Sequence, residues 1–264
     1  MNSSKGFLAV IPARGGSVGL PRKNLMEIQG ISLVARAVLM ARKIADIKWI
    51  LVSTDDKDIA SEAERAGVKV PFMRPADLSK GDTPMLSVLE HAFQWFRRAM
   101  PEEVPECQGL LLLQPTSPMR KKEHILGVID LYMQHRRKGN QIAGVHAVSP
   151  VPLKWVPWNL WRFINNGTGT GANKRAGSRM VINGEAAGKS RLYYRNGAAI
   201  VLDPAQLNAL TLAAGPVIPY IINHPLMTID TLYDLLYIEH CGGRLEPDPV
   251  EIGWESLQDK VGRG

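Results

Sequence analysis

A basic, glycine-rich stretch near the start of the chain carries residue types that bind anions. Its glycine and polar positions are Arg14, Gly15, Gly16, Ser17, Lys23 and Asn24. Glycine lets the backbone turn and come close to a ligand, and successive N–H groups in such a loop form a concave anion site. The order of residues matches neither the dinucleotide fingerprint nor the P-loop pattern. The stretch therefore predicts a phosphate-binding loop of another type, and the alternative is a surface turn with solvated cations.

Strands and helices must position this loop. Buried strands are predicted by apolar runs at 7–11, 48–53, 109–113, 142–148, 198–202 and 217–222, with a short strand at 68–70. Helices are predicted by apolar spacing at 31–45, 57–66, 85–99, 121–137 and 231–241. This alternation is typical of an α/β domain with a doubly wound, mostly parallel sheet. Ligands of such sheets bind beyond the carboxyl ends of the strands, so loops beginning at Ala13, Thr54 and Gln114 should share one site.

Composition limits the class of protein. The 264 residues fit one α/β domain over 1–264, and the net charge of +7 suits an anionic ligand. The basic residues are scattered, so we expect no nucleic-acid partner. The two cysteines have no metal or redox spacing, which favours a reduced, cytoplasmic setting. No apolar run reaches about 18 residues, so we expect no membrane span.

The segment from about 149 to 190 differs from the rest of the chain. It contains Trp155, Trp158 and Trp161, followed by a tract rich in Gly and Asn. It predicts an insertion that either packs on the parent domain or forms a subunit interface, since Trp favours such patches. A P-loop-like run at 184–190 is one residue short and follows no strand, so we interpret it as unrelated to nucleotide binding.

Four ordered segments resemble the signature of the sugar-activating cytidylyltransferases, which make CMP-sialic acid and related CMP-linked sugar acids. They are FLAVIPARGGSVGLPRKN at 7–24, LLQPTSPMR at 112–120, YRNGA at 194–198 and IDTLYDL at 229–235. The resemblance covers nearly all of the chain except the insertion and the tail at 246–264. It implies a Rossmann-like fold of the nucleotide-diphospho-sugar transferase type, a homodimer with the insertion at the dimer contact, and Mg²⁺ as cofactor.

The resemblance also implies a reaction and a role for each site residue. The anomeric hydroxyl of a sialic-acid-like sugar acid attacks the α-phosphate of CTP and releases pyrophosphate. The implied catalytic residues are Arg14, Lys23 and Asp230; the CTP-binding residues are Arg14, Gly15, Gly16, Ser17, Lys23 and Asn24; the sugar-binding residues are Gln114 and Asn196; and the metal ligand is Asp230. Asp230 could instead cap the helix that begins near Thr231. Arg120 is a weaker candidate, as a helix-start cation or a phosphate contact.

Two positions depart from the family pattern. Val18 stands where the family has Lys, and Thr228 stands where sialic-acid-type members have a first Asp. Three functions therefore stay open: a synthetase for a nine-carbon sialic-acid-like sugar, a synthetase for the eight-carbon Kdo or another sugar nucleotidyltransferase, and a nucleotide-binding paralogue that has lost catalysis.

Overall fold

A computed structural model describes most of the chain. The described residues are 5–17, 19–151, 161–163, 169–171, 192–207, 216–241 and 243–247. Val18, Trp155, Trp158, the P-loop-like run at 184–190 and residues 248–264 lie outside them. For Trp161 only the backbone is described, so the predicted tryptophan cluster is not tested.

Strands and helices alternate along the described residues. The strands are β1 (Gly6–Pro12), β2 (Glu27–Ile28), β3 (Ile31–Ser32), β4 (Ile47–Ser53), β5 (Cys107–Leu112), β6 (Gly144–Pro150), β7 (Trp161–Phe163), β8 (Gly169–Gly171), β9 (Tyr193–Leu202) and β10 (Val217–Ile221). The helices are α1 (Leu33–Arg42), α2 (Lys57–Arg65), α3 (Met85–Ala99), α4 (Lys122–Arg137) and α5 (Leu232–Cys241). In the described part of the chain, no helix is long and apolar enough to cross a membrane.

The predicted strand at 68–70 is wrong, because the hydrogen bonds of this segment go to α2. The Val68 amide donates to the Ala63 carbonyl oxygen, and the Val70 amide donates to the Glu64 side chain. No backbone donor at either residue is then left for the neighbouring edge strand β4.

Six strands form the main sheet, in the order β10-β6-β9-β5-β1-β4. β1 runs parallel to β4 and β5, and β10 runs parallel to β6. Only β9 is antiparallel to its neighbours in this sheet, β5 and β6. The mostly parallel sheet is therefore confirmed, and the strand predicted at 198–202 begins earlier, so that Asn196 and Gly197 lie within β9.

Side chains of β1 alternate between two hydrophobic clusters, one on each face of the sheet. Phe7, Ala9 and Ile11 pack in the cluster that contains residues of α1, α2 and α4. Leu8 and Val10 pack in the cluster that contains residues of α3. Alternation of this kind follows from the two-residue period of a strand. Helices thus cover both faces, and the predicted doubly wound architecture is confirmed.

A third, smaller cluster joins residues from 229–245 to residues from 20–33. Its buried members are Leu20, Ile28, Leu33, Ile229, Ile238 and Leu245. Leu20 comes from the basic loop and Ile229 directly precedes Asp230, so this packing holds Asp230 beside the loop. Burial of one such side chain is worth about 1.5–3 kcal/mol.

Candidate active site

A cavity of about 430 Å³ opens beyond the carboxyl ends of β1 and β5. This is the first cavity. Among its lining residues are Arg14, Ser17, Lys23, Asn24, Gln114 and Asp230, all of them predicted site residues. Segments more than 200 residues apart in the chain, at Lys23 and Asp230, therefore meet in one place. The arrangement is the one expected when ligands bind at the strand ends of an α/β sheet.

Two of the three glycines of the basic loop, Gly15 and Gly16, do not line this cavity. The Gly15 amide donates a hydrogen bond of 2.9 Å to Asp55 Oδ1. A Cβ added to Gly15 would lie 2.8 Å from the Asp56 Cβ, so glycine is needed for this close approach to the start of α2. Gly16 faces open space. Phosphate contacts from these two amides stay a prediction, because the described contacts of Gly15 hold the loop against α2.

Three other contacts fix the loop. Asn24 is buried, and its Nδ2 donates to the Arg14 carbonyl oxygen at 2.9 Å. Arg22 forms an exposed ion pair with Asp58 of α2, and it does not line this cavity. A Cβ added to Gly19 would lie 2.8 Å from the Asp230 carbonyl oxygen. The loop is therefore preorganised, and Gly19 permits its contact with the 229–231 segment.

Lys23 bridges the loop and the chain around Asp230. Its Nζ donates to the Ile229 carbonyl oxygen at 2.7 Å and to Asp230 Oδ1 at 3.0 Å. An ammonium group has three donors, so one stays available for a phosphate oxygen. The Lys23 side chain is 14% exposed and that of Asp230 is 74% exposed. Lys23 is thus held by residues 229 and 230, while the carboxylate of Asp230 is exposed to solvent at the cavity.

Asp230 does not cap α5. The Thr231 hydroxyl accepts from the Asp234 amide, and Asp234 Oδ2 accepts from the backbone amides of Asp230 and Thr231 and from the Thr231 hydroxyl. Burial acts to raise the pKa of Asp234, but the hydrogen bonds it accepts outweigh this and lower it. Because Thr231 and Asp234 form the reciprocal cap, the carboxylate of Asp230 is left for other partners.

Two basic residues of the first cavity carry no motif that reveals them in the sequence. Arg74 is buried and donates through Nε to Ser53 Oγ at 3.1 Å and through Nη2 to the Ser53 carbonyl oxygen. Burial lowers the pKa of Arg74, the Asp55 charge opposes this, and the Arg14 charge adds to it. Lys80 also lines the cavity, and its own backbone carbonyl oxygen accepts a hydrogen bond of 2.7 Å from Arg14 Nη1.

A second cavity of about 570 Å³ adjoins the first. Both cavities are lined by Met85, Gln114, Thr116 and Asp230. The second cavity adds an apolar wall from Leu86, Leu112 and Ile200, and a polar wall from Arg195, Gly197 and Thr228. Two ligands could thus occupy adjoining spaces and meet at the four shared residues.

Asn196 lies behind this second cavity. It is fully buried, its Nδ2 donates to Ser149 Oγ at 2.9 Å, and its Oδ1 accepts from the Ala198 amide at 3.0 Å. Its neighbour Gly197 lines the cavity with a positive φ of 69°. A direct sugar contact by Asn196 stays a prediction, since its described hydrogen bonds hold the shape of β9.

The predicted phosphate contact of Arg120 is not among the contacts that the structure describes. Arg120 is 3% exposed, lines neither cavity, and donates to the carbonyl oxygens of Gln114 and Ser117. Burial lowers its pKa to about 9. Arg120 thus folds the loop that presents Gln114 to both cavities.

Comparison with known proteins defines the family. The family model described as Cytidylyltransferase matches residues 8–241, which is most of the chain. The chain belongs to the cytidylyltransferase family. The chain is 36% identical over 149 residues to the CMP-N,N'-diacetyllegionaminic acid synthase of Legionella pneumophila, and the match covers 56% of this chain and 60% of that protein. It is 30% identical over 126 residues to the N-acylneuraminate cytidylyltransferase of Escherichia coli, covering 48% of this chain and 28% of that protein.

The match to a third relative and to solved structures agrees with this family. The pseudaminic acid cytidylyltransferase of Campylobacter jejuni is 27% identical over 131 residues, covering 50% of this chain and 55% of that protein. A CMP:2-keto-3-deoxy-manno-octonic acid synthetase complexed with CTP superposes with a TM-score of 0.62 at 17% identity, over 89% of this chain and 97% of that one. A cytidylyltransferase from Leptospira borgpetersenii superposes with a TM-score of 0.56 at 12% identity, over 98% and 94%. At these identities the two structures show the shared fold.

Proposed function

We propose that the protein transfers CMP from CTP to the anomeric hydroxyl of a sialic-acid-like sugar acid. The sugar oxygen forms a bond to the α-phosphorus while the bond from that phosphorus to the bridging oxygen of pyrophosphate breaks. The products are the CMP-sugar, pyrophosphate and the proton that the hydroxyl loses. Charge builds on phosphate oxygens during this transfer, so the site needs positioned donors and cations.

One observation carries the proposal: two cavities of different character meet at Asp230, Gln114 and Thr116. The first cavity is lined by four basic residues, Arg14, Lys23, Arg74 and Lys80, which suits a triphosphate. The second has the apolar wall and scattered polar groups of a sugar site. With CTP in the first cavity and the sugar in the second, the α-phosphorus of CTP would lie at the junction, next to the sugar hydroxyl, as a direct transfer requires.

Four residues of the first cavity have a part in this proposal. Arg14 and Lys23 bind the triphosphate and stabilise the leaving pyrophosphate. Ser17 adds a donor to a phosphate oxygen. Asn24 is placed to hold the nucleoside, through the amide oxygen that its bond to the Arg14 carbonyl leaves open.

The residues present fit Mg²⁺ as cofactor. Asp230 offers an exposed carboxylate, and within the described residues no group of three or more His, Cys, Asp or Glu side chains could hold a metal. Mg²⁺ is commonly bound by one or two carboxylates together with substrate phosphates and waters. When bound, Mg²⁺ would neutralise charge on the phosphate oxygens. Asp230 would hold it, and the Thr228 hydroxyl, which donates to Asp230 Oδ2 at 3.4 Å, orients that carboxylate.

A nine-carbon sugar acid is the proposed acceptor. The relatives named above are called synthases or cytidylyltransferases of legionaminic, pseudaminic and neuraminic acids, and the matches span 28–60% of their lengths. Gln114 is proposed to face this sugar, because its side chain lines both cavities. The same resemblance supports a homodimer built through the tryptophan-rich insertion, and a cytoplasmic enzyme, since CTP is a cytoplasmic metabolite.

The deciding experiment measures pyrophosphate release from CTP and Mg²⁺ with a panel of sugar acids. The panel holds N-acetylneuraminate, legionaminate, pseudaminate and Kdo, and ATP, GTP and UTP replace CTP in parallel reactions. We expect turnover with CTP and a nine-carbon acid. Asp230→Asn should lower kcat/KM by about a hundredfold or more, because it removes a charge at the reaction centre. The matched control is Asp130→Asn on α4, an exposed position that lines neither cavity.

Two outcomes would favour the other functions. Turnover with Kdo alone would identify the eight-carbon synthetase. CTP binding by calorimetry, combined with no pyrophosphate from any acid, would identify a non-catalytic paralogue, to which Val18 and Thr228 point. Equal turnover of all four nucleotides would contradict the proposal outright.

A further inference from the structure

The second cavity carries a cation that has no partner among the residues that the structure describes. Arg195 lines it, and among the described residues in its wall Arg195 is the only Lys or Arg. No described residue forms a hydrogen bond or ion pair with its side chain. Three of the four basic residues of the first cavity differ: Arg14 donates to the Lys80 carbonyl oxygen, Lys23 donates to Asp230, and Arg74 donates to Ser53. Arg195 is exposed, so the five donors of its guanidinium are available to a ligand that enters the second cavity.

The β9 backbone places Arg195 beside Gln114. In the pairing of β6 with β9, Val148 lies opposite Arg195 and His146 lies opposite Ile200, so a long bulge separates the two pairs. Gly197 sits in this bulge with a φ of 69°, and a Cβ added there would lie 3.1 Å from Gln114 Oε1. Bulges re-aim side chains next to active sites. This one brings Arg195 and Gln114 to the wall of one cavity.

Among the described residues, the buried His146 lies behind Arg195 and adds no charge of its own. His146 is 3% exposed, and neither of its ring nitrogens has a partner. Burial, and then the charge of Arg195, lower the pKa of His146 to about 4. His146 is therefore neutral near pH 7, and Arg195 carries the positive charge at this wall of the cavity.

A sialic-acid-like acceptor carries a carboxylate that matches this cation. In such a keto acid, the carbon that bears the reacting hydroxyl also bears the carboxylate. A residue that binds the carboxylate therefore also fixes the hydroxyl, and it must lie in the same cavity as Asp230, as Arg195 does. Resting on the proposed function, we propose that Arg195 recognises the carboxylate of the sugar acid and so selects acids over neutral sugars. A guanidinium pairs with a carboxylate through two parallel hydrogen bonds, which gives both energy and orientation.

The test compares Arg195→Gln, Arg195→Lys and wild type in the pyrophosphate assay. We expect Arg195→Gln to raise the KM for the sugar acid about ten- to a hundredfold, the loss expected for a charge-assisted contact, with the KM for CTP within about twofold. Arg195→Lys keeps the charge without the two-pronged geometry and should fall between. Wild type should prefer the acid strongly over its carboxamide, and Arg195→Gln should reduce that preference. Arg97→Gln, an exposed arginine on α3, is the matched control.

Three results separate this inference from the proposed function. An active Arg195→Gln variant with an unchanged KM for the sugar acid would overturn the role of Arg195 and leave the proposed function standing. Equal increases in both KM values would also overturn it, because they indicate a general disturbance of the site. If wild type releases no pyrophosphate, the same variants are titrated with N-acetylneuraminate and legionaminate by calorimetry. Binding that Arg195→Gln loses then supports the inference, and no binding by wild type overturns it.

Discussion

The two cavities that meet at Asp230 are built in opposite ways. Much of the first comes from one continuous stretch, 12–24, and the cations of that stretch in its wall are already held by carbonyl oxygens of the chain. The second is assembled from the start of α3, the end of β5, the bulge of β9 and residues 228–230, and its one described cation has no partner among the described residues. A triphosphate is common to all nucleotides, so a preformed loop suffices for it. Choice of the sugar requires residues that only the tertiary structure brings together.

The largest effect is expected from Lys23→Met, which removes the cation that joins the loop to the 229–230 segment. The variant loses two described hydrogen bonds and the donor proposed for phosphate. We expect kcat/KM for CTP to fall by about 10²–10³-fold, the usual loss when one donor to a developing charge is removed. Steady-state pyrophosphate release measures it.

Arg22→Met is the matched control in the same loop. Arg22 is exposed, paired with Asp58 and absent from both cavity walls. We expect less than about a threefold change in kcat/KM, in line with the small value of surface ion pairs. Equal losses in both variants would mean that loop charge in general, rather than the position of Lys23, binds the triphosphate.

Val18→Lys should strengthen the first cavity. Val18 lies outside the described residues, but its neighbours Ser17 and Gly19 both line this cavity. A charge-assisted contact to the triphosphate is worth about 1.5–3 kcal/mol, so kcat/KM should rise about ten- to a hundredfold if the wild type is a slow synthetase. A fast wild type that gains nothing would show that another residue already supplies this contact.

Gly197→Ala should damage the second cavity while sparing the first. Its φ of 69° costs a side chain about 1–2 kcal/mol, and the added Cβ would lie 2.3 Å from Ser117 Oγ. We expect the KM for the sugar acid to rise about tenfold through displacement of the loop that carries Gln114, with CTP binding unchanged. Kinetics with each substrate varied in turn measures both.

Gly139→Ala isolates the steric part of that effect. Gly139 has a φ of 73° but faces open space, so it shares the backbone strain without the clash. Urea unfolding should show a larger loss for Gly197→Ala than for Gly139→Ala. Equal losses would mean that Ser117 gives way without cost.

The last prediction concerns acid stability rather than catalysis, at a residue behind the second cavity. The folded pKa of His146 is about 4, below the ordinary 6.5, so the unfolded chain binds more protons between these values. Stability should therefore fall as the pH drops from 6.5 toward 4, with a total contribution of about 3 kcal/mol from this group. His146→Leu should flatten the pH dependence of unfolding in urea. The exposed His240→Gln is the control, and an unchanged slope in His146→Leu would contradict the buried, neutral state.

The sequence by itself determined the fold class and the first cavity. Period-two and helical apolar spacing depend on local geometry, so β1, β4, α3 and α4 could be predicted within a few residues. The loop residues that line the first cavity are close in sequence, and the rule that ligands bind at strand ends brought Gln114 into the same site.

Only the tertiary structure decided the rest. The antiparallel direction of β9 and its bulge depend on which strands it lies between, and that choice leaves no local pattern. Arg74 is a single arginine with no motif, and Arg195 lies in the YRNGA segment but had no predicted role. Their positions depend on contacts with Ser53 and on the bulge. Asp230 was open to two interpretations because Asp is both a metal ligand and a helix cap, until the hydrogen bonds of Thr231 and Asp234 showed that α5 is capped without it. The contacts of each side chain, with residues near or far in the chain, settle such choices, because its role follows from what it touches.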